Sequence, residues 1–334
     1  MDLWILIGSL VLILVGAEVF TNALEHIGER LGISEGVTGS IFAAVGTALP
    51  ETMVPVIAVM MSSGNVQTRE EVGVGAILGA PLMLSTLTLC LMGFFAAHKR
   101  GWSGTLRPEA TGVNRDLVWF LGAFLLGASA VFVPFDWRGT RAILALVLIF
   151  LYVVYLVVTI RASNALVEDG HGTEADHPLF LSRLGIPTNM VSILFQIGMG
   201  FALIVAGAKG FVYGVEGLAV FLGISTLALS LLIIPVATEL PEKVNSIIWI
   251  RRGRDTLAFG NITGAMVFQG SLLPALGIFL TPWAPMRDVL IGMGLTILAT
   301  TYLLIMMRRG SLKPYYLLFN GLCYGLFVIF IIME

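Results

Sequence analysis

The sequence predicts an all-α polytopic membrane protein of ten transmembrane helices, built as two inverted five-helix repeats. Three observations predict it. Of 334 residues, 57% are hydrophobic and 12% charged, with a mean hydropathy of +0.94, whereas soluble globular chains are about 25% charged. The apolar residues form long continuous runs rather than the short alternating segments of a barrel. One motif occurs twice, as Gly46-Thr47-Ala48-Leu49-Pro50-Glu51 and as Ala237-Thr238-Glu239-Leu240-Pro241-Glu242. A net charge of −2 without a basic tract gives no footing for nucleic acid. The expected partners are the lipid bilayer and inorganic cations, and no cofactor is expected.

A spanning helix needs about 20 apolar residues, and the runs place spans at 3–24, 36–61, 72–97, 117–134, 140–160, 190–213, 225–250, 256–280, 287–307 and 314–333. The first lacks a basic n-region and a small-residue cleavage signature, so it reads as a retained helix. Cys90 and Cys323 fall in apolar runs, and neither a disulfide nor a metal pair is expected of them.

Loop charge tests the count, because cytoplasmic loops are enriched in Lys and Arg. With both termini outside, the inside loops hold 13 basic residues: Arg30; Lys99, Arg100, Arg107 and Arg115; Arg161 and Arg183; Arg251, Arg252 and Arg254; Arg308, Arg309 and Lys313. The outside loops hold 4: Arg69, Arg138, Arg141 and Arg287. The expected location is the cell (inner) membrane.

A shift of 191 residues matches Gly16 with Gly207, Ala17 with Ala208, Glu25 with Glu216, and Leu31-Gly32-Ile33-Ser34 with Leu222-Gly223-Ile224-Ser225. The same shift matches the two motifs. Beyond them Gly75–Ala80 aligns with Gly260–Ala265 at an offset of 185, so the first half has six extra residues around Ser62–Glu71. The first repeat is 1–160, the cytoplasmic linker 161–189, and the second repeat 190–334. Five spans per half make the second enter from the opposite side, an arrangement that puts a transport site at the midplane between broken helices. The linker's Glu168–His177 stretch, with two histidines and four acids, reads as a solvated loop in preference to a regulatory metal site.

The repeated motif supplies the chemistry. Proline inside a helix removes a backbone hydrogen bond, a broken helix survives in lipid only where protein or a cavity covers it, and a carboxylate at that depth marks a functional site. Both stretches are therefore expected to break their helices. The Glu51 and Glu242 carboxylates, the Thr47 and Thr238 hydroxyls and the carbonyls freed by Pro50 and Pro241 are hard oxygen ligands suited to a hard cation. Two facing anions suit a divalent ion, and protons would compete for them.

Glu239, where the first half has Ala48, either adds a third carboxylate or pairs with Lys243 four residues on. A further reading has Lys243 reach toward the cytoplasmic interface instead. Glu18 and Lys209 occupy equivalent positions with opposite charge, and either pair across the pseudo-twofold or face separate hydrated crevices. His26 and His98 sit at helix ends and read as interfacial. Trp119, Trp137, Trp249 and Trp283 fall near predicted span ends, as an aromatic belt would.

At these residues the chain resembles the cation/calcium exchanger superfamily, which includes sodium/calcium exchangers. That family has ten spans in two inverted halves, each with an α-repeat holding a Gly-Thr-Ser-Leu-Pro-Glu motif and a Gly-Asn-x-x-Gly-Ser-Asn-x-x-(Asn/Asp) motif. Here Gly46–Glu51 and Ala237–Glu242 resemble the first, and Gly75–Leu84 and Gly260–Gln269 the second. The α-repeats would span about 36–97 and 225–280. The resemblance aligns Glu51, Glu242, Thr47 and Thr238 with the family's ligands, and with Glu239 and Gln269 these make the expected cation site. The chain departs from the family at Ala48, Ala76, Ala80, Pro81, Leu84, Glu239 and Ala265, which removes much of the neutral oxygen set and puts sodium coupling in question.

The function implied is secondary antiport of Ca²⁺ against Na⁺ or H⁺ by alternating access, with the first and sixth helices moving against the remaining bundle. A repurposed pocket for another cation, and an intramembrane enzyme or non-transporting sensor, are the competing readings. No histidine lies at a predicted helix centre to support catalysis, so an enzyme is not expected.

Overall fold

Among the described residues the apolar runs become helix, because lipid offers no partner for an open backbone N–H or C=O. The computed structural model describes residues 2–30, 44–61, 66–167, 177–223 and 225–333. Its helices are α1 (Asp2–Arg30), α2 (Ala44–Met61), α3 (Val66–Met83), α4 (Leu89–Arg100), α5 (Ala110–Ser129), α6 (Arg138–Val167), α7 (Met190–Leu222), α8 (Thr226–Thr238), α9 (Leu240–Arg252), α10 (Asp255–Leu280), α11 (Arg287–Arg308) and α12 (Leu318–Ile332). A π-helical segment, Leu84–Thr88, joins α3 to α4.

Among the described residues eight helical stretches are long and apolar enough to cross a membrane, and two shorter apolar helices cover Pro50–Met60 and Thr226–Val236. The expected Leu31–Ser34 turn, most of Glu168–His177 and Glu334 lie outside the described residues. So do the side chains of Thr47 and Glu25.

α1 and α7 form a close antiparallel pair. A Cβ on Gly16 would lie 2.9 Å from the Ile204 nitrogen, and one on Gly207 would lie 2.9 Å from the Ser9 carbonyl oxygen. Gly200 abuts Phe20, and Gly214 abuts Leu6. Lipid tails are as apolar as leucine, so helices in a bilayer associate through such close packing and not through apolar burial.

At one end of this pair Gln196 Nε2 donates to Asn22 Oδ1 (2.9 Å) and to the Val19 carbonyl (3.0 Å). The linker's last residues dock there: Phe180 N donates to Asn22 Oδ1 (3.1 Å) and Leu181 N to Gln196 Oε1 (3.0 Å). His26, at its helix end as expected, is buried against the His177 carbonyl at 3.1 Å.

Glu18 and Lys209 form no ion pair among the described residues, and both are exposed. The seam explains it. Gly16 meets Leu203 and Ile204 while Phe20 meets Gly200, so Glu18 lies opposite 200–203, well away from Lys209. Equivalence under a twofold is not contact across it.

On the other side of the site α5 and α6 pack against α10, and α11 packs against α5, α3 and α12. Arg100 at the end of α4 clamps Asp255 at the start of α10 with two bonds of 2.6 and 2.7 Å, and also donates to the Ile250 carbonyl (2.9 Å). Trp283 is not part of an aromatic belt. It is 1% exposed, seated on Gly277, with its indole N–H donating to the Gly127 carbonyl (3.0 Å). Free Cys90 and Cys323 are buried.

Candidate cation site

The two motif stretches fold differently. In the first half α2 runs unbroken through Pro50 and Pro55, so the expected break at Pro50 does not occur. Proline removes one backbone bond, but its fixed φ is itself helical, and packing against neighbouring helices keeps such a helix continuous in a membrane bundle. In the second half the helix does break: α8 ends at Thr238, Glu239 is the N-cap at φ −97°, ψ 12°, and Pro241 occupies the first turn of α9. The interruption is one residue long, spanned by the Glu239 N–H to the Pro235 carbonyl (3.2 Å) and the Lys243 N–H to the Glu239 carbonyl (3.1 Å).

The fold brings the acids of both halves together. Glu51 is 4% exposed, Glu242 3%, and Glu239 and Gln269 0%. The Gln269 amide on α10 donates to Glu51 Oε2 (3.0 Å) and to Glu239 Oε1 (3.3 Å), so one side chain ties α2 to the α8–α9 junction. Glu242 lies within electrostatic range of Glu51 and of Glu239. Its helix is held to α10 by Asn261 Nδ2, which donates to the Glu242 carbonyl (3.2 Å) and to Ser246 Oγ (3.0 Å). Thr238 is buried beside them, its hydroxyl donating back to the Ile234 carbonyl (3.1 Å). That bond leaves the oxygen's lone pairs to face a cation. Glu51 Oε1 and Gln269 Oε1 are buried with no hydrogen-bond partner among the described residues, and are acceptors that an ion could use.

Glu239 does pair with Lys243, at 3.8 Å. Lys243 is 6% exposed and points into the protein, not out to the cytoplasmic interface. Its ammonium donates to the Pro235 carbonyl (2.9 Å) and contacts the Met83 sulfur.

The buried carboxylates Asp116, Asp255 and Asp288 are not among the residues singled out from the sequence, and of the three Asp116 lies deepest within its helix. Asp116 falls at the edge of a polar loop in the sequence, but α5 begins at Ala110 and carries it inside. It accepts from the Thr263 hydroxyl (2.9 Å) and the Tyr155 hydroxyl (3.1 Å), joining α5, α6 and α10. Hydropathy gives no signal for it, because charge at a span boundary reads as loop.

A family model described as "Sodium/calcium exchanger protein" matches residues 1–161 and 192–333. The "Putative antiporter CaxA" of Alkalimonas amylolytica is 29% identical over 324 residues, covering 93% of this chain and 91% of that protein. The "Inner membrane protein YrbG" of Escherichia coli (strain K12) is 25% identical, covering 83% and 79%. Among solved structures, the H⁺/Ca²⁺ exchanger CAX superposes with a TM-score of 0.74 at 16% identity, over 99% of this chain and 86% of that one. The sodium–calcium exchanger NCX_Mj gives 0.58 at 19% identity, over 97% and 96%. These two likenesses show a shared fold.

Proposed function

Since this chain belongs to the sodium/calcium exchanger family, we propose that it is a secondary antiporter that moves Ca²⁺ against protons by alternating access. The observation that carries this is the Gln269 bridge, which joins Glu51 of one half to Glu239 of the other at the buried junction that also holds Glu242. Glu51 and Glu242 hold the divalent ion. Thr47, Thr238, Glu239 and Gln269 complete or position the ligand set.

Protons, not sodium, are the counter-ion in this reading. Sodium needs several neutral oxygens, and Ala80, Leu84 and Ala265 supply none. Protons need only carboxylates that share a site and titrate together.

The chain crosses the membrane ten times, the eight long stretches being joined by the two short apolar helices at 50–60 and 226–236. The halves are 1–160 and 190–334, inverted, with 161–189 as cytoplasmic linker and both termini outside the inner membrane. The seam supports the inversion: the Gly16–Ile204 and Gly207–Ile13 contacts exchange under the 191-residue shift, as a twofold along the membrane plane requires.

Ca²⁺ flux in proteoliposomes, with a pH gradient or a sodium gradient imposed separately under clamped voltage, tests the function. A pH gradient should drive uptake, and E51Q and E242Q should each abolish it, since a divalent ion loses most of its Coulombic stabilisation when one anion becomes neutral. Full drive by sodium alone, or near-normal flux in either variant, overturns the reading. Tags at the C-terminus and within 168–177 should label from opposite sides, and same-side labelling ends the ten-span topology.

A further inference from the structure

Lys243 brings a positive charge into the acid cluster. It follows Glu242 directly, yet its side chain turns back beneath the α8–α9 break. There the ammonium is surrounded by the Pro235 carbonyl oxygen at 2.9 Å, the Glu239 carboxylate at 3.8 Å and the Met83 thioether. The Pro235 carbonyl also accepts the Glu239 N–H. A carbonyl and a carboxylate at a helix break are oxygens of the kind that ligate a small cation, and here a tethered ammonium takes the position beside them.

The lysine's partner is also wired to a proposed ion ligand. Glu239 gives one oxygen to Gln269, and the same amide holds Glu51. The surrounding charges acting on Lys243 are Glu239, Glu242 and Glu51. Ionised, the three carboxylates and one ammonium sum to −2, the charge that a single divalent ion neutralises. Without Lys243 the sum is −3, and a divalent ion alone leaves one negative charge buried. A buried ion pair is costly to assemble and often replaceable by apolar residues without loss of stability, so stability alone is a poor reason for placing one here.

We propose that the Lys243 ammonium is a built-in cation, occupying the position beside Glu239 that a free alkali ion would otherwise take, so that the site works with one divalent ion and no bound sodium. The proposal rests on the Glu51–Glu242 site being the transport site.

The test is K243M, compared with the unsubstituted protein in liposomes and in detergent. Replacing sodium by choline should leave Ca²⁺ uptake by the unsubstituted protein unchanged. In K243M the apparent Ca²⁺ affinity should rise by about tenfold or more in choline, because the ammonium no longer repels the ion at short range in a low-dielectric site, and return toward that of the unsubstituted protein in sodium, which takes the vacated position. A second readout needs no flux: sodium should raise the melting temperature of K243M and not that of the unsubstituted protein. E239Q/K243M, back at −2, should lose the sodium response.

If K243M does not fold, E239Q carries the test. At a net −1 it should bind Ca²⁺ more weakly, and adding K243M should recover affinity, whereas a purely structural lysine predicts the double variant to be no better. Sodium-independence of folded K243M in both readouts, or sodium stabilisation of the unsubstituted protein, overturns the proposal. If the unsubstituted protein moves no Ca²⁺, the transport reading fails, and the melting-temperature comparison still decides whether Lys243 fills an alkali-ion position.

Discussion

The α1–α7 seam and the pair of Pro–Glu stretches match under the same 191-residue shift, yet one keeps the equivalence in structure and the other has lost it. In the seam Gly16 meets Ile204 and Gly207 meets Ile13 at nearly equal separations. At the site α2 is continuous while the second stretch is broken at Glu239. Ala48 and Thr52 stand where the second half has Glu239 and Lys243. The substitutions add one negative and one positive charge, so they change the local chemistry without changing the net charge of the stretch. Scaffold contacts are bound to stay equivalent because both helices must fit one another. A site has no such constraint, and its asymmetry can be set by two residues.

The sharpest way to break this contrast is Gln269→Leu. Gln269 is the side chain that holds the asymmetric acid, Glu239, against the symmetric one, Glu51. Leucine keeps the bulk and removes two charge-assisted bonds, each worth about 1.5–3 kcal/mol. Calcium affinity measured by titration calorimetry should fall by at least about tenfold, equivalent to about 1.4 kcal/mol. Unchanged affinity would separate Glu239 from the site and leave only the symmetric pair of glutamates.

Gly16→Ala and Gly207→Ala come next, and they test the symmetric side. Each new Cβ would press on backbone at 2.9 Å, and overpacking of this kind costs about 1–3 kcal/mol. The two losses in melting temperature should match, because the contacts are equivalent. A large loss in one and none in the other would mean that the seam is not twofold.

These residues also mark how far a sequence of this kind can be read. The spans are legible because lipid forces long apolar helices. The Pro–Glu stretches are legible because a carboxylate at that depth is too costly to be incidental. The seam glycines are legible as a repeat. Direction is not legible. Lys243 is four residues from Glu239, which fits both an inward pair and an outward snorkel, and only the position of Met83 and Pro235 decides for the former. Glu18 and Lys209 show the converse, since equivalent positions suggest a contact that the seam keeps apart. Asp116 is hidden by a helix that starts seven residues before the expected span, and Trp283 by a turn that folds it back over Gly277. Pro50 suggests a break that α2 does not show.

A third, smaller effect is expected at the π-helical segment. Asn320 on α12 donates to the Ser85 carbonyl (2.7 Å) and the Ala299 carbonyl (3.1 Å). A π turn frees carbonyls from regular pairing, and one buried acceptor left bare costs about 1–3 kcal/mol. Asn320→Leu should therefore lower the melting temperature, with Ca²⁺ affinity changed far less than in Gln269→Leu. An equal loss of affinity would place the π segment in the site.

The smallest effect concerns how α5 and α11 begin. In the first half Glu109 caps α5, accepting the Thr111 N–H (2.7 Å) and the Gly112 N–H (2.6 Å). In the second half Met286 stands at the N-cap of α11 with no side-chain bond. Glu109 lies outside the spanning stretch. Its partial burial pushes its carboxyl upward, but the Gly112 and Thr111 N–H groups outweigh that and hold it below the usual carboxylate range. A carboxylate lowered on folding stabilises the fold above its unfolded value, and that stabilisation is lost as pH falls through the lower, folded value. Glu109→Gln should therefore lower the melting temperature slightly at neutral pH, and the difference from the unsubstituted protein should vanish in acid below the usual carboxylate range. Met286→Leu, which removes no cap, should show no pH-dependent difference at all. A difference for Glu109→Gln that persists undiminished in acid would mean that the cap acts through shape and not through charge, and that the two helix starts differ less than their hydrogen bonds indicate.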